Sequence, residues 1–196
     1  MLSALSVARR RVKEPAGTEA LDHLQHEVDR FTTLITDLLE ISRVEAGVAE
    51  LVLEPVDPKA FVTDVLTSIN REELPVVVGP TAPKEVRIDK RRMGQVLVNL
   101  VQNADIYGGG ATELRITGDA DHMRLLVDDA GPGIPAGERE QVFERFARGA
   151  DPSVPGTGLG LALVREHVRL HEGTVVIKGA PAGGARFVVT IPRSLP

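Results

Sequence analysis

A carboxylate stands where a predicted strand meets a glycine turn. The strand predicted at 123–127 is followed by Asp128 and Asp129, and then by the glycine- and proline-rich segment 130–135. Glycine has no Cβ, so a ligand can approach the backbone closely there. A carboxylate at this place can accept a hydrogen bond from an exocyclic amine of the ligand. Because strand residues alternate between faces, Asp128 points to the opposite side, and Asp129 is the candidate.

A second glycine cluster opens a predicted helix. Glycine occupies every second position from Gly156 to Gly160, and the helix that follows is predicted to end at Gly173. The first N–H groups of a helix are unpaired and its dipole is positive at that end, which suits a phosphate group. A dinucleotide fingerprint is excluded because residues 146–155 form no strand. A Walker loop is excluded because Gly-Lys-Ser/Thr is missing.

Two amide side chains share one face of another predicted helix. Asn99 and Asn103 are four residues apart, the spacing that places side chains together on a helix. An amide oxygen is a hard ligand of the type that magnesium accepts. Each of the three clusters is weak evidence alone, since acidic glycine turns and helical Asn pairs are common. Their joint occurrence in this order favours a nucleotide site.

The elements that must position these residues are helices alternating with short β segments. We predict helices at 18–47, 58–70, 90–107, 138–146 and 158–173, and strands at 51–54, 76–78, 86–88, 114–117, 123–127, 174–177 and 185–191. Hairpins, rather than single parallel strands, separate the helices. The pattern indicates an α+β fold, a two-layer α/β sandwich with a mixed sheet and helices on one face, preceded by a helical hairpin.

The first fifty residues have a different pattern. Residues 1–14 are predicted to form a helical piece, Pro15 and Gly17 to break it, and Thr18 to cap a longer helix. Apolar residues recur in that helix at steps of three and four: Leu21, Leu24, Val28, Phe31, Ile35 and Leu38. This seam of about two and a half heptads favours a hairpin that pairs with a second chain in a four-helix bundle. Packing of the helix on its own domain is the alternative.

Composition excludes several classes of protein. The chain has 196 residues, 23 Lys and Arg against 28 Asp and Glu, and a net charge of -5, so it offers no basic field for nucleic acid. Cysteine is absent, which removes disulfides, thiolate nucleophiles and cysteine-type zinc sites. No apolar run is long enough to span a bilayer. We therefore expect a cytoplasmic chain, with any membrane anchor of its parent protein in segments absent here.

At this point the sequence resembles the sensor histidine kinases, within the superfamily that includes gyrase, Hsp90 and MutL ATPase domains. The resemblance covers roughly residues 19 to 192, and five blocks match in the family order. These are the end of the second dimerisation helix (37–47), the N box (89–104), the first glycine box (129–135), the F box (142–146) and the second glycine box (156–162). The resemblance implies a partial dimerisation hairpin at 1–50 and a catalytic ATP-binding domain at 51–196.

The family supplies roles for the matching positions on the base side of the site. The resemblance implies that Asp129 binds the adenine amino group and that Tyr107 lies against the ring. Gly131 and Gly133 would admit the base.

On the phosphate side, the resemblance implies that Arg148 reaches the terminal phosphate and that Asn103 holds Mg²⁺. The second glycine box would cradle the triphosphate through Gly156, Thr157, Gly158, Leu159 and Gly160. Asn99 stands where hydrolysing relatives carry a glutamate that activates water. An amide cannot act as a general base, which favours phosphoryl transfer to a protein acceptor over hydrolysis.

The sequence departs from the family pattern at two places. Ile106 replaces a basic residue that many members carry beside the aromatic, so one phosphate contact is missing. No segment fits the family's phosphoacceptor motif: His26-Glu27 lies in the second helix and lacks the basic residue and the Pro-Leu that should follow. We therefore expect the acceptor histidine on a segment upstream of Met1.

The leading hypothesis is the Mg-ATP-binding core of a two-component sensor histidine kinase, which phosphorylates a histidine on a missing segment for onward transfer to a response regulator. Residues 1–47 would form a homodimer. Two alternatives remain open at this stage: a serine/threonine kinase of the anti-sigma-factor type, and a non-catalytic ATP-binding or dimerisation module.

Overall fold

The computed structural model describes residues 15–147 and 157–194, with side chains from residue 20 onward. Two compact units divide the chain, Met1–Leu39 and Glu40–Pro196. The helix predicted at 1–14 lies outside the described residues. No helix within the described ranges is long and apolar enough to cross a membrane. The predicted functional boundary after residue 50 stays a prediction.

Helix α1 spans Pro15–Glu45 and supplies the described part of the first unit. It begins at Pro15, so the prediction that Thr18 caps it was wrong, while the predicted end of the preceding helical piece lies outside the described residues. Proline is tolerated in the first turn because the N–H that it lacks has no partner there. The predicted apolar seam is exposed: Leu24 has 50% of its surface accessible, and Phe31 has 63%.

The second unit contains two β-sheets and three more helices. Its elements are β1 (Glu54–Val56), α2 (Pro58–Ser68), β2 (Val76–Val78), β3 (Val86–Ile88), α3 (Lys90–Tyr107), β4 (Ala111–Gly118), β5 (His122–Asp129), α4 (Gly160–Leu170), β6 (Thr174–Gly179) and β7 (Ala185–Pro192). The larger sheet has the order β2-β4-β5-β7-β6, and only its β2–β4 pair is parallel. Strands β1 and β3 form a separate antiparallel pair.

The core lies between the large sheet and the helices on one of its faces, which confirms the predicted α+β architecture. Alternate residues of β5 enter it, namely Met123, Leu125 and Val127, because strand side chains alternate between faces. Helix α3 contributes an apolar stripe at helical spacing, which includes Met93, Val96, Leu97, Leu100 and Val101. Phe143 packs edge-to-face on Phe187, with ring centroids 6.5 Å apart.

Three local predictions need correction. The helix predicted at 138–146 is only a 3₁₀ turn, Gln141–Phe143. It cannot continue, because Phe146 adopts a positive φ of 62° and donates its backbone N–H to the Gly158 carbonyl at 2.8 Å. The strand predicted at 51–54 begins at Glu54, since the Val52 N–H bonds to the Asp89 carboxylate instead of a strand.

Strands β2 and β3 are not partners across the Gly79-Pro80 turn, because they belong to different sheets. The Gly79 N–H donates to the Ile116 carbonyl at 2.8 Å, which continues the pairing of β2 with β4. The β4–β5 and β6–β7 hairpins form as predicted.

Candidate functional site

Asp129, the predicted base-binding carboxylate, lies at the end of β5 and is 5% exposed. Its Oδ1 accepts two backbone N–H groups, from Gly131 at 3.0 Å and from Ala185 at 2.9 Å. The first donor lies in the first glycine box and the second on β7. Two donors on one oxygen fix the direction of the carboxylate and leave Oδ2 available for another donor.

Glycines press against Asp129 from two other parts of the chain. A Cβ on Gly108, the residue after α3, would lie 2.5 Å from the Asp129 Cγ. A Cβ on Gly184, in the β6–β7 turn, would lie 2.2 Å from the Asp129 carbonyl oxygen, and its φ of +84° also favours glycine. The sequence predicted Gly131 and Gly133 here. It assigned Gly108 and Gly184 only to a helix end and a hairpin turn.

Asp128 points to the other face of β5, as strand alternation predicted. It forms a two-pronged ion pair with Arg186 of β7: Nε lies 2.6 Å from Oδ1, and one terminal nitrogen lies 2.5 Å from Oδ2. The Asp128 carboxylate raises the pKa of Arg186 through these hydrogen bonds. Sequence reasoning missed Arg186, because no local pattern connects residues 58 positions apart.

Helix α3 carries the two predicted amides. Asp89 caps it, and its Oδ1 accepts the Arg92 N–H at 3.0 Å. One Nδ2 hydrogen of Asn99 is donated to the Gly160 carbonyl at 3.2 Å, at the start of α4. Asn103 is half-buried one turn later, and its amide makes no hydrogen bond within the described residues. An unpaired amide oxygen is able to accept a hard cation.

The second glycine box packs on the F box. Gly158 has φ +70°, and a Cβ there would lie 2.7 Å from the Phe146 Cα. The Thr157 hydroxyl accepts the Leu159 N–H at 3.2 Å, and Leu159 itself is buried. These contacts place the described part of the box at the N-terminus of α4. Arg148 and Gly156 lie outside the described residues.

Helix α3 connects the two glycine boxes. Asn99 contacts Gly160 near one box, and Gly108, just beyond the helix, contacts Asp129 near the other. Gly108 lies nine positions after Asn99, or roughly 14 Å along the axis. Tyr107, at the base end, has 37% of its surface exposed and can meet a ligand, while its neighbour Ile106 is 45% exposed.

A buried polar cluster supports the opposite end of α4. The ring of His171 accepts the Asp89 N–H at Nε2, 3.1 Å away, so Nδ1 donates to the His167 carbonyl at 2.8 Å. His167 is fully buried, and neither ring nitrogen has a partner in the described chain. Burial first, and then the nearby Arg92 charge, lower the pKa of His167 to about 4.

The carboxyl group of Asp89 is held in its charged form. Burial alone raises its pKa, but hydrogen bonds from the Arg92 and Val52 N–H groups and the Arg92 charge lower it overall. Arg92 also pairs with Glu40 in the last turns of α1 and donates to the Glu50 carbonyl at 3.3 Å.

No group of three or more His, Asp or Glu side chains within residues 15–147 and 157–194 is placed to hold a metal.

Comparison with known proteins agrees with this geometry. A family described as histidine kinase-, DNA gyrase B-, and HSP90-like ATPase matches residues 88–195. The sensor histidine kinase MtrB of Mycobacterium tuberculosis (strain ATCC 25618 / H37Rv) is 39% identical over 189 residues, which cover 91% of this chain and 33% of MtrB. The chain therefore spans about a third of the length of the curated relatives it matches.

Two solved structures extend the comparison. The ATP binding domain of PrrB from Mycobacterium tuberculosis is 30% identical, with a TM-score of 0.56, and the match covers 73% of this chain and 98% of that one. Full-length ShkA, in complex with AMPPNP, is 24% identical with a TM-score of 0.80, and covers 98% of this chain and 42% of ShkA; it shows the shared fold. The chain belongs to the histidine kinase-, DNA gyrase B- and HSP90-like ATPase family, and within it to the sensor histidine kinases.

Proposed function

We propose that this chain is the Mg-ATP-binding kinase core of a two-component sensor histidine kinase. It transfers the γ-phosphate of ATP to a histidine on a separate dimerisation segment. The observation that carries the proposal is the path of α3 between the Asp129 carboxylate and the N-terminus of α4. Helix α3 therefore connects a carboxylate that can accept a hydrogen bond from a base to a helix N-terminus whose N–H groups can bind phosphate.

The base end has the chemistry to select adenine. Asp129 Oδ2 accepts the exocyclic amine, Gly131 and Gly133 leave room for the ring, and Tyr107 covers it. The packed glycines support this assignment, because a single Cβ at Gly108 would displace the carboxylate. Base recognition therefore depends on the close packing of glycine backbone around the Asp129 side chain.

The phosphate end acts by positioning and charge. The N–H groups of the second glycine box, Gly156, Thr157, Gly158, Leu159 and Gly160, and the dipole of α4 hold the phosphates. Arg148 reaches the terminal phosphate. Asn103 fits Mg²⁺, since its amide oxygen is unpaired and this cation usually takes one or two protein ligands beside phosphates and water. When bound, Mg²⁺ neutralises charge on the phosphates.

Asn99 supports transfer rather than hydrolysis. Its amide cannot remove a proton from water, and its Nδ2 is already committed to the Gly160 carbonyl. Asn99 therefore links α3 to the phosphate-binding end of α4 and does not activate water for hydrolysis. The incoming nucleophile is the imidazole of the acceptor histidine, and ADP is the leaving group.

The dimer and the onward partner also belong to this proposal. The apolar seam of α1 pairs residues 1–47 with a second copy, since side chains such as Phe31 are exposed among the described residues. The phosphohistidine then serves a response regulator. We also propose that the chain acts in the cytoplasm and that any membrane anchor of its parent protein lies in other segments. No nucleic acid is involved.

Phosphoryl transfer to a supplied acceptor tests the proposal. The chain is mixed with γ-labelled ATP, Mg²⁺ and a separate dimerisation hairpin that carries an acceptor histidine and otherwise matches residues 1–47. We expect acid-labile label on the hairpin, and none on a hairpin whose acceptor is changed to Gln. Acid-stable label would indicate a serine or threonine kinase instead. ATP binding without transfer would indicate a non-catalytic module.

A further inference from the structure

The Arg186–Asp128 ion pair closes the β5–β7 ladder next to the base site. The two residues are Cα partners in the last rung of this antiparallel pair. Both hydrogen bonds are short, 2.6 and 2.5 Å, and the side chains are only 19% and 10% exposed. A two-pronged guanidinium–carboxylate pair fixes orientation as well as distance. This pair therefore sets how the ends of the two strands lie together.

Asp129 lies just past this rung, where regular pairing stops. On its β7 side it is held by the Ala185 N–H, which donates to its Oδ1 at 2.9 Å. On its β4 side Asp129 pairs with Ala111, beyond a register shift between Ala111 and Glu113. On its β7 side the last regular rung is the Asp128–Arg186 pair, one residue away from Asp129.

Ala185 begins β7 directly after a two-glycine turn, and it pairs with Gly179 of β6. Gly183 and Gly184 both have positive φ, and the turn is closed by a bond from the Ala180 N–H to the Gly184 carbonyl at 3.1 Å. Gly184 packs against Asp129, but the β5–β7 ladder itself ends at Arg186. Without a restraint at Arg186, the Ala185 N–H could move away from the Asp129 carboxylate.

We propose that Arg186 is a positioning residue for base specificity. Its two-pronged hydrogen bond to Asp128 holds Ala185 in place, and the Ala185 N–H then orients the Asp129 carboxylate toward an exocyclic amine of the base. This inference rests on the proposed function, since it concerns how the same site distinguishes adenine from a base without that amine. Arg186 itself touches no ligand in this account.

The same strand offers a matched control at its other end. Arg124 of β5 pairs with Asp119, one terminal nitrogen lying 2.5 Å from Oδ2. The pair is also an arginine–aspartate contact on β5, but it lies beside the β4–β5 turn rather than beside Asp129. Loss of Arg124 therefore removes an ion pair without disturbing the base site.

The test compares binding of ADP and inosine diphosphate, in Mg²⁺, by isothermal titration of the full chain. Inosine lacks the exocyclic amine of adenine. We expect Arg186→Gln to reduce the ratio of the two affinities by roughly tenfold, the usual value of one hydrogen bond to a charged group. Arg124→Gln should leave this ratio unchanged. Urea unfolding of each variant reports stability separately.

Arg186→Lys keeps the positive charge but loses the two-pronged hydrogen bond. It provides a second test if Arg186→Gln does not fold. We expect it to recover most of the stability while the affinity ratio stays reduced. Wild-type selectivity in both Arg186 variants would overturn the inference and leave the proposed function intact, provided that Asp129→Asn loses selectivity. Failure of the unchanged chain to bind ADP, or unchanged selectivity in Asp129→Asn, would overturn both.

Discussion

The base side and the phosphate side of the site are built in different ways. Around Asp129, backbone N–H groups and close-packed glycines fix one carboxylate before any ligand arrives. Around Asn103, the amide is unpaired within the described chain, and Asn99 makes a single bond of 3.2 Å to Gly160. On the proposed assignment, the base would be selected by a preformed socket around Asp129, whereas the phosphates would be held by groups that gain their partners on binding.

The largest effect is expected from filling the socket. A Cβ at Gly108 would lie 2.5 Å from the Asp129 Cγ and 2.8 Å from the Ala104 carbonyl oxygen. Gly108→Ala should lower the free energy of unfolding by about 3 kcal/mol, the upper end for overpacking. Nucleotide affinity should fall at least about tenfold, because the base-binding hydrogen bond is lost.

Gly137→Ala is the control for this prediction, since a Cβ there meets nothing within 4 Å and φ is not positive. Urea unfolding and nucleotide titration measure both quantities. A Gly108→Ala protein that binds as tightly as the Gly137→Ala protein would show that the socket is adaptable, and would erase the contrast between the two sides.

The second prediction concerns the scaffold of the phosphate side. His167, near the far end of α4, has a pKa of about 4 in the folded chain, below the usual 6.5. Between these two pH values His167 binds a proton in the unfolded chain but not in the folded chain. Stability is therefore greatest above pH 6.5 and falls toward pH 4, by up to about 3 kcal/mol from this group.

His167→Leu should flatten this decline, because the buried ring nitrogens without partners are removed. Urea unfolding at pH 7 and pH 5 measures the effect, with the exposed His23→Leu as control. If His167→Leu loses stability equally at both pH values, then His167 is not buried in its neutral form, and α4 is not held as described.

The third prediction tests the open character of the phosphate side. Asn103→Ala should change stability by less than about 0.5 kcal/mol, because no hydrogen bond is lost in the free chain. It should remove most of the difference in nucleotide affinity between Mg²⁺ and EDTA. Asn99→Ala should instead cost about 1 kcal/mol of stability, the usual value of one hydrogen bond.

Titration in Mg²⁺ and in EDTA, with urea unfolding of both variants, separates these outcomes. A large stability loss in Asn103→Ala would mean that its amide is already engaged without ligand. The phosphate side would then be preformed like the base side.

The last prediction concerns the F box, where a small loss of stability is expected. Arg145 pairs with Glu45 of α1, and these side chains are 34% and 51% exposed. Arg145→Gln should lower stability by less than about 1 kcal/mol, as is usual for exposed pairs. Arg92→Gln should cost more than Arg145→Gln, because Arg92 and its partner Glu40 are only 7% and 14% exposed. Equal effects in urea unfolding would contradict the difference in burial.

Much of this contrast could be predicted from local patterns. Asp129 follows a strand and precedes glycines, and Asn99 and Asn103 share a helical face. Spacing in the sequence was therefore enough to identify them as candidate site residues. Alternation along β5 also predicted that Asp128 faces away. The resemblance to the sensor histidine kinases rested on five blocks of this kind and is confirmed.

What could not be predicted depends on contacts between distant parts of the chain. Arg186 meets Asp128 across 58 positions, and Gly184 meets Asp129 only after β7 pairs with β5. The segment 138–146 carries helical spacing, but the bond from Phe146 to Gly158 overrides it. Periodicity reports which face is buried, and not which residue of another element will lie against it.

The most direct test of the central claim is isothermal titration of the chain with a non-hydrolysable ATP analogue, with and without Mg²⁺, beside Asp129→Asn. Binding should depend on Mg²⁺ and should be lost or greatly weakened in the variant. No magnesium-dependent heat at millimolar analogue, or equal affinity in Asp129→Asn, would contradict the account of a preformed base socket joined by α3 to a phosphate-binding helix end.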